Sequence, residues 1–572
     1  MALEPPTRAC PAAGVPLIIS SVDARRWKSE GLRVLLLAGL CALFFFYRLG
    51  AMALIGPDEP RYAQVAREML ARHDPITPTI GGQLWLEKPA LTYWLMALSM
   101  RIFGVSEFAA RFPSAFLATL VAFLIYGVGR RVHSPLYGVL AACCFIVNPM
   151  SFGFARGATT DMPLSATLAA GLCLLFLALQ EAIPSRRSRL FSGACFCFGL
   201  AILAKGLIGI FFPVVIAGSY LLLRRRAAML NGLGLARGSL VLLLVCASWY
   251  GPMLARHGWA FVDEFFIQHH IERYLTERFR HPGPIFYYLP VLLVGAFPWT
   301  PLLISAFVRL FTGRHRRDRE ESAEDHGLEH LMTFAALWTV WPLFFFSFSQ
   351  SKLPGYVLPI FPATAFLVAR EILYLWRGGA DRLARIGMLI WPLFVSAIAT
   401  LALFYAKKEL EAFDPLKHVL FWGGLGGGFL GLGLSLAARY RALLIFMLLL
   451  CAASVPSVLA TFQPLIEKKE SFQDLAEIAL REFQPGERLI GYGWFHHSLT
   501  FYTNARSIYD EHGRVRILFS PNELIEVARR LGSVLVVAQR SHVRQLSESP
   551  QLEVELIGGR GEYSLLRVKP LK

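Results

Sequence analysis

The chain has 572 residues, of which 55% are apolar and 17% are charged. Soluble globular proteins carry about 25% charged residues, and the 44 Phe, 18 Tyr and 12 Trp exclude a disordered chain. The composition therefore indicates a polytopic α-helical membrane protein. A formal net charge of +17 then reports positively charged cytoplasmic loops rather than a nucleic-acid partner.

The apolar segments predict about thirteen transmembrane helices, since one span needs about 20 mostly apolar residues. They lie at 32–50, 112–130, 135–152, 161–181, 190–204, 207–223, 238–252, 285–311, 330–348, 355–376, 384–405, 416–437 and 441–462. The fifth and sixth are short and adjacent, which leaves the number open by one or two.

Basic runs occupy every second connection between these segments, at 130–131, 186–189, 224–226, 314–317, 377–385 and 439–441. The positive-inside rule makes these connections cytoplasmic, together with the tail 1–31. The transmembrane domain 32–463 is then predicted to have outer loops at 51–111 and 253–284. An odd number of spans places residues 464–572 outside, in a periplasm-like space.

Residues 464–572 predict a small α/β domain. Helices are expected at 471–483 and 521–531, the second with Ser520 as its cap, and strands at 488–492, 533–538 and 554–557. No GxGxxG follows a strand and no P-loop occurs, so the sequence predicts no nucleotide site there.

The first charged cluster on the outer side follows the first span. Asp58, Glu59 and Arg61 gather at the start of a helix that Pro60 favours and that is predicted to end near Ala71. Ionisable residues crowded at one membrane face are functional candidates. Ordinary capping of a helix N-terminus is the alternative.

The second cluster is Trp85-Leu86-Glu87-Lys88-Pro89, and Pro89 is predicted to begin a helix over 89–103. A Lys88 ammonium near free helical N–H groups makes a good seat for a phosphate. Alternatively, Lys88 pairs with Glu87 or extends to the lipid interface.

The third cluster places Asp161 at the outer end of the span 161–181. A carboxylate entering an apolar span needs a partner, which is expected to be Arg156, Arg61 or a metal ion. A helix N-cap is the alternative interpretation.

The fourth cluster lies in the loop 253–284, where Arg273 or Arg278 suits a phosphate. His269 and His270 are adjacent and do not face one way on a helix, so the signal for zinc is weak. A solvated loop is the plain alternative.

The fifth cluster runs from Ser349 to Pro359 and contains Lys352 between two spans, followed by a rigid turn at Pro354 and Gly355. A helix-hairpin connector with a Lys at the lipid headgroups is the alternative.

All five clusters lie on one face. ATP and sugar nucleotides are cytoplasmic, so an outer site of cations and carboxylates suits a lipid-linked phosphate delivered by the membrane.

These motifs resemble the GT-C glycosyltransferases that use polyprenyl-phosphate sugars. The resemblance is strongest to the lipid A aminoarabinose transferases, which are related to the protein O-mannosyltransferases. It is carried by Pro57-Asp58-Glu59-Pro60-Arg61-Tyr62-Ala63, Glu87-Lys88-Pro89, Thr160-Asp161-Met162-Pro163, His270-Ile271-Glu272-Arg273-Tyr274, Gly295-Ala296-Phe297-Pro298-Trp299 and Ser351-Lys352-Leu353-Pro354-Gly355-Tyr356. It covers nearly the whole membrane part and implies a GT-C-like fold.

The resemblance implies roles for several residues. Asp58 would be the catalytic residue and Asp161 the second acidic residue. The donor phosphate would be held by Lys88, Arg61 and Arg273. Further site candidates are Glu59, Glu87, Lys352 and Tyr356. Trp85 stands where a Tyr is expected in the aminoarabinose transferases, which leaves the sugar open.

The implied reaction is an inverting transfer of a sugar from an undecaprenyl-phosphate-type donor to an envelope acceptor, with aminoarabinose to a lipid A phosphate as the best interpretation. Transfer to a hydroxyl acceptor, as by a protein O-mannosyltransferase, is the alternative. A lipid-linked sugar transporter is an alternative from another class. It would show midplane charges and paired broken helices, whereas the charged clusters here lie at one face. No cofactor is expected to be required, and a divalent metal lacks a clear ligand set. The expected place is a bacterial inner membrane, with the site facing the periplasm and no nucleic-acid partner.

Overall fold

Helices form most of the membrane part. The computed structural model describes residues 24–225, 227–265, 283–312, 323–379, 381–409, 414–510 and 514–571. Its first ten helices are α1 Ala24–Cys41, α2 Asp58–Arg72, α3 Leu91–Phe103, α4 Glu107–Val132, α5 Pro135–Val147, α6 Pro149–Ala155, α7 Asp161–Gln180, α8 Pro184–Lys205, α9 Ile208–Leu223 and α10 Leu235–Phe261. A π-helical turn, Ala42–Phe46, extends α1.

The membrane part continues with helices α11 Tyr288–Gly295, α12 Thr300–Thr312, α13 Ala323–Ser347, α14 Phe361–Trp376, α15 Arg382–Glu409, α16 Asp414–Leu436 and α17 Tyr440–Glu470. Short 3₁₀ helices lie at Ala227–Leu230 and at Pro354–Ile360, immediately before α14. The predicted basic connection 314–317, the outer-loop residues 266–282 and most of the tail 1–31 lie outside the described residues.

The polytopic helical fold is confirmed, although the number of spans is not. Among the described residues, 8 helices are long and apolar enough to cross a membrane, or up to 10 if each of two bent pairs is one span. Each of the predicted intervals falls on helical chain, but α9 and the described apolar part of α16, Phe421–Leu436, are short. The total of about thirteen therefore stays a prediction.

The two bent pairs show how the sequence breaks a span. Asn148 ends α5, and its side chain accepts hydrogen bonds from the backbone N–H groups of Met150 and Ser151 at the start of α6. Pro149 occupies the first position of α6, where its missing N–H costs nothing. The two helices meet at 64°, and α11 and α12 meet at 117°.

Residues 51–111, the predicted first outer loop and called the outer segment below, contain most of the elements that build the site. Pro60 lies in the first turn of α2, as predicted, and α2 ends one residue beyond Ala71. A two-stranded antiparallel hairpin follows, with β1 Thr79–Ile80 and β2 Gln83–Leu84. The helix expected from Pro89 begins at Leu91. In the predicted second outer loop, 253–284, α10 extends to Phe261 but is broken at Gly258, whose φ of +55° is not helical.

The C-terminal domain is a five-stranded mixed sheet with helices. Its elements are α18 Gln473–Glu482, β3 Leu489–Tyr492, α19 Ser498–Tyr502, β4 Ile517–Leu518, α20 Pro521–Leu531, β5 Val534–Gln539, α21 Arg540–Ser547, β6 Leu552–Arg560 and β7 Tyr563–Pro570. The strand order is β4-β3-β5-β7-β6, parallel among β4, β3 and β5 and antiparallel from β5 to β6. Ser520 caps α20, as predicted. Helix α17 continues to Glu470, past the boundary predicted at 464.

Candidate active site

A cavity of about 570 Å³ opens between the outer segment and the ends of the membrane helices. Its polar lining residues are Asp58, Tyr62, Glu87, Lys88, Thr159, Thr160, Asp161, Lys205, Ser349 and Tyr356. Its apolar lining residues include Phe154, Leu164, Leu207, Ile208, Phe211, Phe345, Phe346 and Leu353. The cavity therefore joins a charged end to an apolar end, as an amphiphilic ligand requires.

One side of the charged end is built by α2 and the segment before α3. An Nη2 atom of Arg61 donates to Asp58 Oδ1 at 2.7 Å, one helical turn away. Its Nη1 atom lies 3.7 Å from Glu87 Oε2, and the Lys88 ammonium lies 2.9 Å from Glu87 Oε1. The guanidinium also lies 5.5 Å from the Trp85 ring centroid. Four charged side chains thus form a connected row, in which Asp58, Glu87 and Lys88 line the cavity and Arg61 links the two carboxylates.

Burial changes the protonation chemistry of this row. Burial by itself disfavours the charged form of Arg61, but the carboxylates of Glu87 and Asp58 outweigh it and raise the pKa of this guanidinium. Burial, followed by the negative charges of Asp58 and Glu87, raises the pKa of Tyr62 well above its usual range. Arg61 therefore remains a cation and Tyr62 a neutral hydroxyl at every physiological pH.

The other side is built by α7, α8 and the turn before α14. The Lys205 ammonium, at the last residue of α8, donates to Asp161 Oδ1 at the first residue of α7. The same ammonium lies 5.0 Å from the Tyr356 ring centroid, within the range of a cation–π contact. The partner expected for Asp161 was wrong: Arg156 instead donates to the carbonyl groups of Phe44 and Phe45.

Gly355 makes this arrangement possible by its lack of a side chain. A Cβ atom built on Gly355 would lie 2.9 Å from Asp161 Cγ and 2.9 Å from Phe154 Cε1. Real Cβ atoms do not approach other heavy atoms so closely. The turn before α14 can therefore lie directly against the Asp161 carboxylate only because residue 355 is a glycine.

The charges around the cavity balance one another. Three carboxylates, on Asp58, Glu87 and Asp161, alternate with three cations, on Arg61, Lys88 and Lys205. Cations held around a partly water-excluded cavity can bind a phosphate and stabilise negative charge that develops during a reaction. The arrangement is suited to the departure of a phosphate leaving group.

Glu59 does not belong to this row. Its carboxylate is buried and accepts from Arg111 Nη2 at 2.6 Å and Nε at 3.0 Å. It also accepts from the backbone N–H groups of Ile55 at 2.9 Å and Ala158 at 2.8 Å. Arg111 is itself buried and donates to the carbonyl groups of Met52 and Ala53. Glu59 therefore anchors the outer segment to α4 and to the chain before α7.

Two further candidates, Lys352 and Arg273, are not found among the described residues that line the cavity. Lys352 is buried, donates to the carbonyl oxygen of Ser349 and does not line the cavity. Burial lowers the pKa of Lys352. Arg273, with His269, His270 and Arg278, lies in 266–282 and so outside the described residues. Within the described chain, His, Cys, Asp and Glu form no group of three or more that could hold a metal ion.

The sequence interpretation missed Lys205 and Arg111. Lys205 interrupts two adjacent apolar runs, 190–204 and 207–223, and that single charge was the available signal. Arg111 stands at the outer end of a predicted span, immediately before Phe112. Both residues meet carboxylates far away in sequence, and that pairing becomes visible only in three dimensions.

Sequence comparisons find similar proteins among known glycosyltransferases. The family model described as dolichyl-phosphate-mannose-protein mannosyltransferase matches residues 87–250. An undecaprenyl phosphate-α-4-amino-4-deoxy-L-arabinose arabinosyl transferase of Erwinia tasmaniensis is 31% identical over 405 residues, 67% of this chain and 69% of that protein. A protein with the same description from Pseudomonas paraeruginosa is 33% identical over 390 residues, 66% of each chain.

Solved structures share the fold. The crystal structure of ArnT from Cupriavidus metallidurans bound to undecaprenyl phosphate matches with a TM-score of 0.76 at 23% identity, covering 95% of this chain and 98% of that chain. The archaeal oligosaccharyltransferase AglB from Archaeoglobus fulgidus matches with a TM-score of 0.51 at 13% identity, covering 91% of this chain and 70% of that chain.

The protein is a multi-pass membrane glycosyltransferase of the GT-C class. Within that class, the chain belongs to the family of the undecaprenyl phosphate-aminoarabinose arabinosyl transferases.

Proposed function

We propose that this enzyme transfers 4-amino-4-deoxy-L-arabinose from an undecaprenyl-phosphate carrier to a phosphate of lipid A. The descriptions of its relatives name this donor. The observation that supports the proposal best is the cavity itself, in which an apolar end suited to a polyprenyl chain leads to Lys88 and Lys205, with Arg61 paired to Asp58 and Glu87 beside them. Carboxylates lie beside these cations, where a sugar and its amine would bind.

The proposed reaction is a single in-line displacement at the anomeric carbon of the sugar. The bond from this carbon to the carrier phosphate breaks, a bond to an acceptor oxygen forms, and the configuration inverts. The departing phosphate gains charge as the bond breaks, and Lys88, Lys205 and Arg61 stabilise it. The resemblance of this chain to its family makes Asp58 the expected catalytic residue.

Asp58 and Asp161 have separate roles in this proposal. A lipid A phosphate is already anionic and needs no base, so Asp58 positions the sugar or its amine. Asp161 is paired with Lys205 and holds that ammonium at the cavity. An acceptor hydroxyl would instead require Asp58 as a general base.

Three cations already supply the positive charge that a metal ion would bring, so we propose that no metal is required. Excess chelator should leave turnover unchanged. A loss of turnover that added Mg²⁺ or Mn²⁺ restores would contradict this point.

The enzyme is proposed to lie in a bacterial inner membrane with the cavity and the C-terminal domain in the periplasm. The basic connections on the opposite side support this orientation. A reporter that is active only outside the cytoplasm should be active when fused after Lys572 and inactive near Arg225. An inactive fusion after Lys572 would contradict the orientation.

Transfer to a protein hydroxyl is the second candidate, favoured by the match of residues 87–250 to the mannosyltransferase family. A transporter is disfavoured, although two bent helix pairs are present, because the ion pairs line one cavity beside the outer segment. Mass spectrometry of lipid A and of envelope glycoproteins, with and without the gene, separates the candidates. Aminoarabinose lost from lipid A supports the proposal, and a hexose lost from proteins contradicts it.

A further inference from the structure

The C-terminal domain packs against the helix that carries the candidate catalytic residue. Its short helix α19 lies along α2, and Phe501 is buried in one apolar cluster with Tyr62 and Tyr93. Arg67 of α2 donates to the carbonyl oxygen of Phe501 at 3.1 Å, and its guanidinium lies 5.7 Å from the ring centroid of Phe501. This contact lies about two and a half helical turns from Asp58.

Tyr502 reaches further into the outer segment. Its hydroxyl accepts a hydrogen bond from the backbone N–H of Leu54 at 2.9 Å and donates one to Glu107 Oε1 at 2.8 Å. Leu54 precedes Asp58 by four residues, and Glu107 begins α4. One phenol therefore joins the chain leading into α2 to the start of a membrane helix.

The neighbouring residue in the outer segment is held by a different group. The backbone N–H of Ile55 donates to the buried carboxylate of Glu59, which Arg111 of α4 also binds. Leu54 is thus fixed by the C-terminal domain and Ile55 by the membrane domain. Together they restrict the path of the chain immediately before Asp58.

The same domain touches the second charged segment of the cavity. The hairpin before Trp85 turns at Gly81, whose φ of +61° is a left-handed conformation. A Cβ atom at Gly81 would lie 2.1 Å from Cδ2 of Tyr509, so the ring of Tyr509 rests directly on this turn. The segment that carries Glu87 and Lys88 leaves the hairpin immediately afterwards.

His497, in the same domain, interacts electrostatically with both charged segments of the cavity. Burial and then the positive charge of Arg61 lower the pKa of His497 to about 3, while the negative charge of Glu87 opposes this lowering. The imidazole is therefore uncharged at physiological pH. The domain approaches the charged row without adding to its charge.

We propose that the C-terminal domain is a positioning element of the active site, and that Tyr502 is the positioning residue through which it holds the chain entering Asp58. The activity prediction rests on the proposed function, whereas the contact itself does not. A positioning role predicts slower turnover with nearly unchanged donor affinity, since Tyr502 touches neither Arg61 nor Lys88 in the hydrogen bonds described.

The test compares Tyr502→Phe with Tyr563→Phe in the full chain. Both variants lose one phenol hydroxyl from the same domain, but Tyr563 stacks on Trp494 within that domain, with ring centroids 4.0 Å apart. Tyr502→Phe should speed hydrogen exchange at Leu54 and reduce kcat by about five- to tenfold, the effect of one hydrogen bond, with little change in KM for the donor. Tyr563→Phe should leave both quantities unchanged.

A second arm isolates the Tyr502–Glu107 contact. The variant Glu107→Gln combined with Tyr502→Phe should slow turnover little more than Tyr502→Phe alone, because groups in one contact are not additive. Fully additive losses, or unchanged exchange at Leu54 in Tyr502→Phe, would overturn the proposal. The exchange measurement needs no substrate, so it decides the positioning role even if the enzyme transfers a different sugar.

Discussion

Asp58 and Glu59 are adjacent in sequence but lie in opposite surroundings. The side chain of Asp58 is 44% exposed and faces the cavity beside Arg61, whereas that of Glu59 is 7% exposed against an Arg111 that is 1% exposed. Glu59 has donors on both carboxylate oxygens. A buried carboxylate whose two oxygens both accept hydrogen bonds holds parts of the fold together, whereas a carboxylate exposed at a cavity can interact with a substrate.

The largest effect is expected from Glu59→Gln. Removing one partner of a buried ion pair leaves an uncompensated Arg111 and should lower the free energy of unfolding by about 3–5 kcal/mol. Thermal unfolding in detergent and the yield of folded protein measure this loss. The matched control is Asp58→Asn, the same chemical change one residue earlier. An equally destabilised Asp58→Asn would contradict the distinction between the two residues.

Asp58→Asn should reverse that pattern. Turnover is expected to fall at least about a hundredfold, because a group that positions or activates a reactant in the site is lost. The melting temperature should stay within a few degrees of the parent protein. The assay is turnover in detergent with a synthetic polyprenyl-phosphate aminoarabinose donor. Full activity in this variant would remove Asp58 from the site.

Lys88 and Lys352 offer a second contrast, between a lysine at the cavity and a buried lysine bonded to a backbone carbonyl. Lys88→Ala should weaken donor binding by about 1–3 kcal/mol, the value of a charge-assisted hydrogen bond, and should slow turnover further. Lys352→Ala should leave donor binding unchanged. Titration with a polyprenyl phosphate measures both. Equal weakening in the two variants would contradict the contrast, and a larger loss in Lys352→Ala would show that the phosphate is bound nearer to Lys352.

The smallest effect concerns an ion pair away from the cavity. Burial opposes ionisation of Asp74, but hydrogen bonds from Ile76 and Arg256 prevail and lower the pKa of Asp74 to about 2. Because the pKa of Asp74 is lower in the folded state than in the unfolded state, the ionised carboxylate stabilises the fold above pH 4. This contribution disappears as the pH falls toward 2. Asp74→Asn should therefore cost about 1 kcal/mol at pH 7. Melting curves should show this difference shrinking between pH 4 and pH 2, whereas a constant difference would contradict it.

The sequence predicts much of the fold because apolar runs and caps are local signals. Pro60 in the first turn of α2 and Ser520 at the cap of α20 are both confirmed. Strand β7 was not predicted, although its pairing with β5 and β6 holds the sheet together. Pairing between strands depends on partners that are distant in sequence, which a local pattern does not reveal.

The site was only partly predictable for the same reason. Asp58, Lys88 and Asp161 carry a local signal, since charge at the end of an apolar run is costly, and all three line the cavity. Their assigned roles stay predictions. The contact of Lys205 with Asp161 joins residues 44 positions apart, and that of Tyr502 with Leu54 joins residues 448 positions apart. Hydropathy and spacing contain no information about such contacts.

The alternation of three carboxylates with three cations has a consequence for release of the spent carrier. In the proposed reaction the donor is a phosphodiester with one negative charge, and the carrier leaves as a monoester that can carry two. Cations alone would hold this product more tightly than the donor and would slow the enzyme by product inhibition. Because Glu87 and Asp161 remain beside Lys88 and Lys205, each carboxylate can reclaim its cation as the carrier departs. These ion pairs thus oppose retention of the product and favour the next catalytic cycle.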